Sequence, residues 1–504
     1  MFYPKKLYSH HYGPVLKLIF LFLLFAGCCE AQTGADTLNL AKKLKDANKL
    51  KNASDLLTLY RKNHPNDLNG IWLSAQTAYW LHDFKKSISL YKEALAANPG
   101  NYYLKLDYAK MLVDIAALKN AAPLLHTYLK YDSTNADALI SLAKIDYWQG
   151  DYKPALAKVK KIMQKHPGNK DAIALLDEIL LAQSPWIRLT GAYNTDDQPL
   201  QNFTSSLEAG IFLHPLADLH VALTVPIFLK DGNTSNALTF EVGDKLSFNK
   251  EGLMIAINAG LAQFPGNNTT AFTGSVDIAK SFAKYFILTA AAARKPYFYS
   301  RSSIDSALIE SNFAATAGWN NKHTVNGVAG FSVSRFPDNN SVTTLYATIY
   351  APELKARNFS FQFGYGYNNS NSKENRFVPQ NSTLQNITGV YDPYFTPNDQ
   401  QIHSLITSIA YQPVKRVIIG AAVNYGLYAT TQNPYFFVKQ ANPITIDKNY
   451  IEQKFSPVEL GAYVLWQATK KINIKATYQY HQTFFYTNQY VGLSLKANFW
   501  NEKK

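Results

Sequence analysis

The pattern of apolar and polar positions changes once along the chain. From residue 33 to 183 apolar residues recur at the three-to-four-residue spacing of amphipathic helices; after Pro185 they recur at every second position to the end. In 359–368, Phe359, Phe361, Phe363, Tyr365 and Tyr367 share one side, against Ser360, Gln362, Gly364, Gly366 and Asn368. In 471–481, Asn473, Lys475, Thr477, Gln479 and His481 oppose Ile472, Ile474, Ala476, Tyr478 and Tyr480. Near the end, Val491, Leu493, Leu495, Ala497 and Phe499 alternate with Gly492, Ser494, Lys496 and Asn498. The pattern predicts helices over 33–183, a boundary at Pro185, and sixteen strands over 186–500 separated by turn-rich stretches such as "HPLAD", "NKEG" and "QPVKR".

The helical part repeats itself. "HPND" at 64, "NPGN" at 98 and "HPGN" at 166 set Pro65, Pro99 and Pro167 in step with a period of 34, and Ser133 of "DSTN" fills the missing register. The same step joins small Ala53, Ser87, Ala121 and Ala155, large Phe84, Leu118 and Tyr152, and Ala75, Ala109 and Ala143. This resembles the tetratricopeptide repeat, whose small residues let two antiparallel helices pack closely and whose proline ends the second. About three full repeats and one partial one fit. The resemblance implies either a spacer or a concave surface that docks peptides or partner proteins.

A water-soluble sandwich also alternates, but its strands run near five or six residues, shorter than the ten to fifteen read here. Connections offer an independent test. The even ones, "HPLAD", "NKEG", "SFAKY", "NNKH", "APELKAR", "QPVKR" and "ATKK", are short, while the long ones, at 296–306, 369–399 and 431–452, are all odd. Short on one side and long on the other is the habit of transmembrane barrels, which also carry apolar residues outward and polar ones inward. By that parity Glu241, Lys245, Gln362, Asn424, Asn473, Lys475, Gln479, Lys496 and Asn498 face the lumen, and Arg294 is added to these candidates. The expected architecture is α + β and multidomain: a helical tetratricopeptide solenoid, then an antiparallel β-barrel whose last strand closes against its first.

Composition changes this picture in three ways. Aromatics make up 14% of the 504 residues, mostly 33 Tyr and 29 Phe, a bias of strands and membrane-interface belts. The mean hydropathy of −0.19 does not argue against a membrane, because only alternate barrel residues meet lipid. The net charge of +14 is spread out with no basic block interleaved with aromatics, which argues against a nucleic-acid partner. Lys5, Lys6 and Lys17 precede the apolar run "LIFLFLLFAGCC" at 18–29, which reads as an export signal too short to span a membrane. Cleavage after Ala31 would remove both cysteines; an alternative is lipidation at Cys28. Either route takes the chain out of the cytoplasm.

No phosphate-binding glycine loop, HExxH, CxxC or GxSxG occurs, His64, His82, His126 and His166 fall in repeat helices or their turns, and Glu241 and Glu459 are too scattered to nominate an acid/base pair. No enzyme activity, cofactor or metal is expected.

An exported tetratricopeptide arm followed by a barrel of about sixteen strands resembles the outer-membrane exopolysaccharide export proteins, namely the cellulose-synthase C subunit and the poly-N-acetylglucosamine porin. "RKPYFYSRSSIDSALIE" at 294–310 is similar to an inter-strand segment of those barrels, matched at Arg294, Pro296, Ser306 and Leu308; "YFTP" at 394–397 resembles the stretch before a later strand. Phe499 and Trp500 resemble the terminal signature that the barrel-assembly machinery reads. The resemblance implies a signal peptide at 1–31, a periplasmic repeat domain at 33–183 and an outer-membrane barrel at 186–500, in a Gram-negative envelope. It implies passage of a polymer through an amide- and aromatic-lined lumen, outer-membrane lipid around it, and a periplasmic or inner-membrane polysaccharide synthase complex as partner. The basic excess hints at a neutral or anionic polymer. A non-catalytic scaffold anchored by its barrel, or a general diffusion porin, are the alternatives.

Overall fold

A computed structural model describes residues 34–500 except 198–199, 231, 283–284, 322–323, 384–385 and 442–443. The export signal, Cys28 and Cys29 therefore lie outside the described residues. The chain divides into two compact units, one made of residues up to Ile145 with Ala157–Asn169, the other of Asp146–Leu156 with Lys170 onward.

The helices are α1 Gly34–Asp46, α2 Leu50–Asn63, α3 Leu68–Trp80, α4 Phe84–Ala97, α5 Tyr102–Asp114, α6 Leu118–Tyr131, α7 Ala136–Trp148, α8 Tyr152–Lys165 and α9 Lys170–Ala182. Among the described residues they form four helix pairs and a ninth helix, where the repeated motifs alone indicate three full pairs and a partial one. Two local devices explain the period. The last letter of each turn motif is an N-cap: Asp67 accepts from Gly70 N at 3.0 Å, Asn101 from Leu104 N at 3.0 Å and Asn135 from Ala138 N at 3.1 Å. Within each pair the turn needs a left-handed residue, and Asn48, His82, Ala116 and Gly150 supply it with φ of 58°, 61°, 61° and 81°, each 34 residues after the last.

Packing follows. Ala53, Ala75, Ser87, Ala109, Ala121, Ala143 and Ala155 are wholly buried, while Phe84 and Tyr152 are half-buried. Ser87 keeps its hydroxyl satisfied by donating to the Ala75 carbonyl at 2.8 Å. Tyr91 and Tyr108 stack at 5.0 Å among Leu90, Leu104, Leu112 and Leu125.

Among the described residues, sixteen strands of the second unit form a barrel wall: β1 Trp186–Asp196, β2 Gln201–His214, β3 Ala217–Lys230, β4 Leu238–Phe248, β5 Leu253–Phe264, β6 Thr269–Phe282, β7 Phe286–Pro296, β8 Ile309–Trp319, β9 Asn326–Arg335, β10 Ser341–Tyr350, β11 Phe359–Ser372, β12 Gln400–Val414, β13 Val417–Ala441, β14 Val458–Gln467, β15 Ile472–Gln482 and β16 Thr487–Asn498. Each pairs antiparallel with the next, and β1 pairs with β16 from Trp186↔Asn498 to Asp196↔Asn488, which closes the barrel. The apolar set faces outward: Leu189, Leu345 and Leu493 are 52%, 53% and 57% exposed, and Phe359, Phe361, Phe363 and Tyr365 are exposed alongside one another. A surface so oily on a closed antiparallel barrel is that of an outer-membrane-type barrel. Among the described residues no helix is long and apolar enough to cross a membrane.

The even-numbered connections, all short, share one end of the barrel, and the long connections share the other with the remaining odd-numbered turns. The long segments are more ordered than the sequence suggests. Residues 431–441 continue β13 instead of leaving it, and Ile444–Phe455 returns along them, because their own alternation keeps a hairpin paired beyond the wall. The connection after β7 contains the one-turn helix α10, Arg301–Asp305, and that after β11 a hairpin of Phe377–Thr383 with Asn386–Tyr391.

Candidate functional site in the barrel lumen

The two stretches singled out by resemblance, 294–310 and 394–397, come together. Tyr297 N donates to the Leu308 carbonyl at 2.9 Å, pinching the first loop at its base. Ser300 caps α10 and donates its hydroxyl to the Pro393 carbonyl at 2.6 Å, and Ser302 bonds the Asp392 carboxylate. Apolar anchors fix the loop to the wall: Ile304 packs with Leu200 and Phe228, and Phe298 lies 5.6 Å from the Phe228 ring and 6.1 Å from that of Phe264. Of the motif positions, Pro296 lines a cavity, Leu308 packs with Phe336 and Tyr394, and Ser306 donates to the Ser303 carbonyl at 3.4 Å.

Tyr394 joins the loops. Its ring stacks on Phe336 and meets Tyr297 edge-on at 6.1 Å. Its hydroxyl donates to the Asp338 carboxylate, 2.7 Å from Oδ2 and 2.9 Å from Oδ1, and Arg376 Nη2 sits 2.8 Å from the same Oδ2. Burial, then the Asp338 hydrogen bond, pushes the Tyr394 hydroxyl up to about 12.

Beneath these loops is a cavity of about 870 Å³. Strand residues supply amides, among them Asn194, Asn202, Asn368, Asn424 and Gln479; the connections supply rings, among them Tyr297, Tyr299, Phe395, Phe485 and Tyr486. Phe395 stacks on Phe485 at 4.4 Å, so loop 373–399 also meets the β15–β16 turn. Its charged side chains are paired: Lys295 with Glu310 at 3.4 Å, and Glu459 with His481 at 3.4 Å while accepting from Asn424 Nδ2 at 3.0 Å.

The parity candidates separate into groups. Asn424 and Gln479 line this cavity. Lys245, Lys475, Asn473 and Lys496 belong to the short-turn end, with Arg188, which pairs with Glu208 at 2.8 Å. Lys496 and Arg188 lie over the Trp186 ring at 4.6 and 5.2 Å, in a place opened by Gly210, where a Cβ would fall 2.5 Å from that ring. Glu241 shares the inward parity on β4, and Gln362 donates to the Ala351 carbonyl at 3.0 Å. Two placements differ from expectation. Lys295 and Glu310 line the cavity, so alternation puts Arg294 on the opposite, outer face, where Nε donates to the Phe272 carbonyl at 3.1 Å. Asn498 keeps the inward parity but is buried, donating to Ser184 Oγ at 2.9 Å, and is not among the residues that line the cavity. The loop rings and Glu310, Glu459 and His481 had no place among the candidates; the signal for the rings is aromatic crowding in "PYFY", "YDPYFTP" and "TFFYT". Among the described residues no group of three or more His, Cys, Asp or Glu could hold a metal.

No family profile and no curated protein matches the chain. A solved structure titled "Bacterial polysaccharide outer membrane secretin" aligns at a TM-score of 0.46 and 10% identity, over 63% of this chain and 99% of its own. YrrB, titled a TPR protein with an unusual peptide-binding site, aligns at 0.26 and 17% over 30% of this chain and 77% of its own; a tetratricopeptide repeat protein from Parabacteroides merdae aligns at 0.28 and 14% over 30% and 59%. These are likenesses of arrangement; by its own elements the chain is a tetratricopeptide-type helical arm joined to a closed sixteen-strand barrel of outer-membrane type.

Proposed function

We propose that the barrel is a conduit for export of an exopolysaccharide across the outer membrane of a Gram-negative cell, with the helical repeats as a periplasmic docking arm for a synthase complex. The observation that carries this reading is the cavity beneath the loops, where amides that both donate and accept face aromatic rings, the pairing that hydroxyl-rich rings with apolar faces require. The chemistry asked of such a lumen is passage, not bond-making, so the protein is read as non-catalytic. On this reading lipid surrounds the outer face and the barrel-assembly machinery inserts it.

Single-channel conductance of the full chain in planar bilayers tests this. A pore blocked by soluble polysaccharide is the expected result; a barrel that never conducts overturns it. The mutual tying of loops 297–308 and 373–399 favours one second reading, a scaffold whose barrel is only an anchor, and a permanently silent bilayer would select it.

A further inference from the structure

Resting on the conduit reading, we infer that the cavity takes an uncharged saccharide segment, in preference to the anionic polymer that the basic sequence would suggest. Four inward-facing cations, Arg188, Lys245, Lys475 and Lys496, belong instead to the short-turn end of the lumen. The lysine that lines the cavity, Lys295, is matched by Glu310. A carboxylate, sulfate or phosphate entering here would have to give up its hydration without a free cation to replace it. A cationic sugar fares little better, since Glu310 is held by Lys295 and Glu459 already receives the Asn424 amide beside His481.

What the cavity does offer suits neutral sugar rings. Tyr299 is 65% exposed and its ring lies 4.8 Å from Tyr297, giving a bare aromatic face. Phe395 and Phe485 stack opposite the strand amides as a second platform. Asn202, Asn368 and Gln479 each carry two donors and an acceptor, matching hydroxyl groups that do both. A cavity of about 870 Å³ is in the range that encloses a short oligomer.

The test is calorimetric titration of the full chain in a non-glycosidic detergent with cellohexaose and maltohexaose as neutral probes, an alginate hexamer as the anionic probe and a chitosan hexamer as the cationic one. At least one neutral hexamer is expected to bind ten-fold or more tighter than either charged one. Tyr299→Ala and Gln479→Ala should each weaken it about ten-fold, while Tyr299→Phe retains it because the ring face remains. Tyr299 is exposed, so its truncation leaves the barrel folded, which the gel shift between heated and unheated protein would verify. Tighter binding of a charged hexamer, or neutral binding indifferent to both substitutions, or no neutral binding at all, overturns the inference. Conductance separates the two readings: a pore blocked only by charged polymer sinks this inference and leaves the conduit, whereas absent conductance with intact neutral binding sinks the conduit alone.

Discussion

Tyr394 lies flat on Phe336, ring centroids 3.6 Å apart and planes 9° from parallel, while its hydroxyl reaches the Asp338 carboxylate two residues beyond Phe336. One side chain thus ties the 373–399 connection to the β9–β10 turn through both an apolar face and a polar tip. Asp338→Ala removes the tip's carboxylate and leaves Arg376 with Glu374 alone, 3.3 Å away, a loss of roughly 1–2 kcal/mol from loop closure. Faster proteolytic nicking within 373–399 and more frequent openings in bilayers are expected; unchanged nicking would show that the ring stack alone holds the loop.

The same contact predicts a dependence on alkali. The Tyr394 hydroxyl ionises near 12 in the folded protein against 10 when free, so its raised value contributes stability that is complete below pH 10 and lost as pH rises from 10 through 12. Loop nicking should therefore increase across that window in the wild type and less steeply in Tyr394→Phe, where buried Tyr391 and Tyr297, also raised, still titrate.

Within the helical arm, Asp107 Oδ2 accepts from Trp72 Nε1 at 2.5 Å, Tyr91 OH at 2.7 Å and Gln76 Nε2 at 2.8 Å. Asp107→Ala orphans the mostly buried Tyr91 hydroxyl and the Trp72 indole, and should cost about 2–3 kcal/mol in helical melting followed by far-ultraviolet circular dichroism. Burial first, then Asp107, raises the Tyr91 hydroxyl, and burial, then Asp114, raises that of Tyr79 to about 12. The helical signal of the wild type should accordingly weaken as pH climbs above 10.

The intra-pair turns are not optimal. Ala116 and His82 hold φ near 61°, where a β-carbon is strained, and Ala116→Gly should raise the arm's stability by about 0.5–1 kcal/mol after the added freedom of the unfolded chain is counted. Gly150→Ala, at φ 81°, should move it the other way. A melt in which both changes lower stability would refute the account.

On the outer face, Leu493→Arg sits midway along β16 and should cost about 2–4 kcal/mol of folding free energy into bilayers. The adjacent inward position lies opposite Lys475, so a charge of the other sign there, Ser494→Glu, is expected to fold near normally. Equal tolerance of both would mean that the face never meets lipid.

Much of the barrel was legible because alternation is a local property. Phe359 to Tyr365 declare their face within seven residues, and closure of β1 on β16 follows once sixteen such strands are counted. The repeat was legible through its prolines and alanines, but His82 and Ala116 hid the shared turn, since neither residue type advertises a left-handed backbone. The cavity was the hardest part to foresee. Its rings come from connections whose fold depends on contacts between distant segments, such as Ser300 with Pro393, and no periodicity encodes those. Arg294 shows the other limit: a single step of parity separates lumen from lipid, and a motif match carries no parity.

The seam between Trp186 and Asn498 has a consequence for how the molecule is made. Fifteen strands must wait for the final one, and until it arrives every intermediate carries two unpaired edges whose amides and carbonyls lipid cannot satisfy. The cylinder is therefore an all-or-nothing object, and losing β16 would abolish the membrane-embedded form altogether instead of yielding a fifteen-strand version of it.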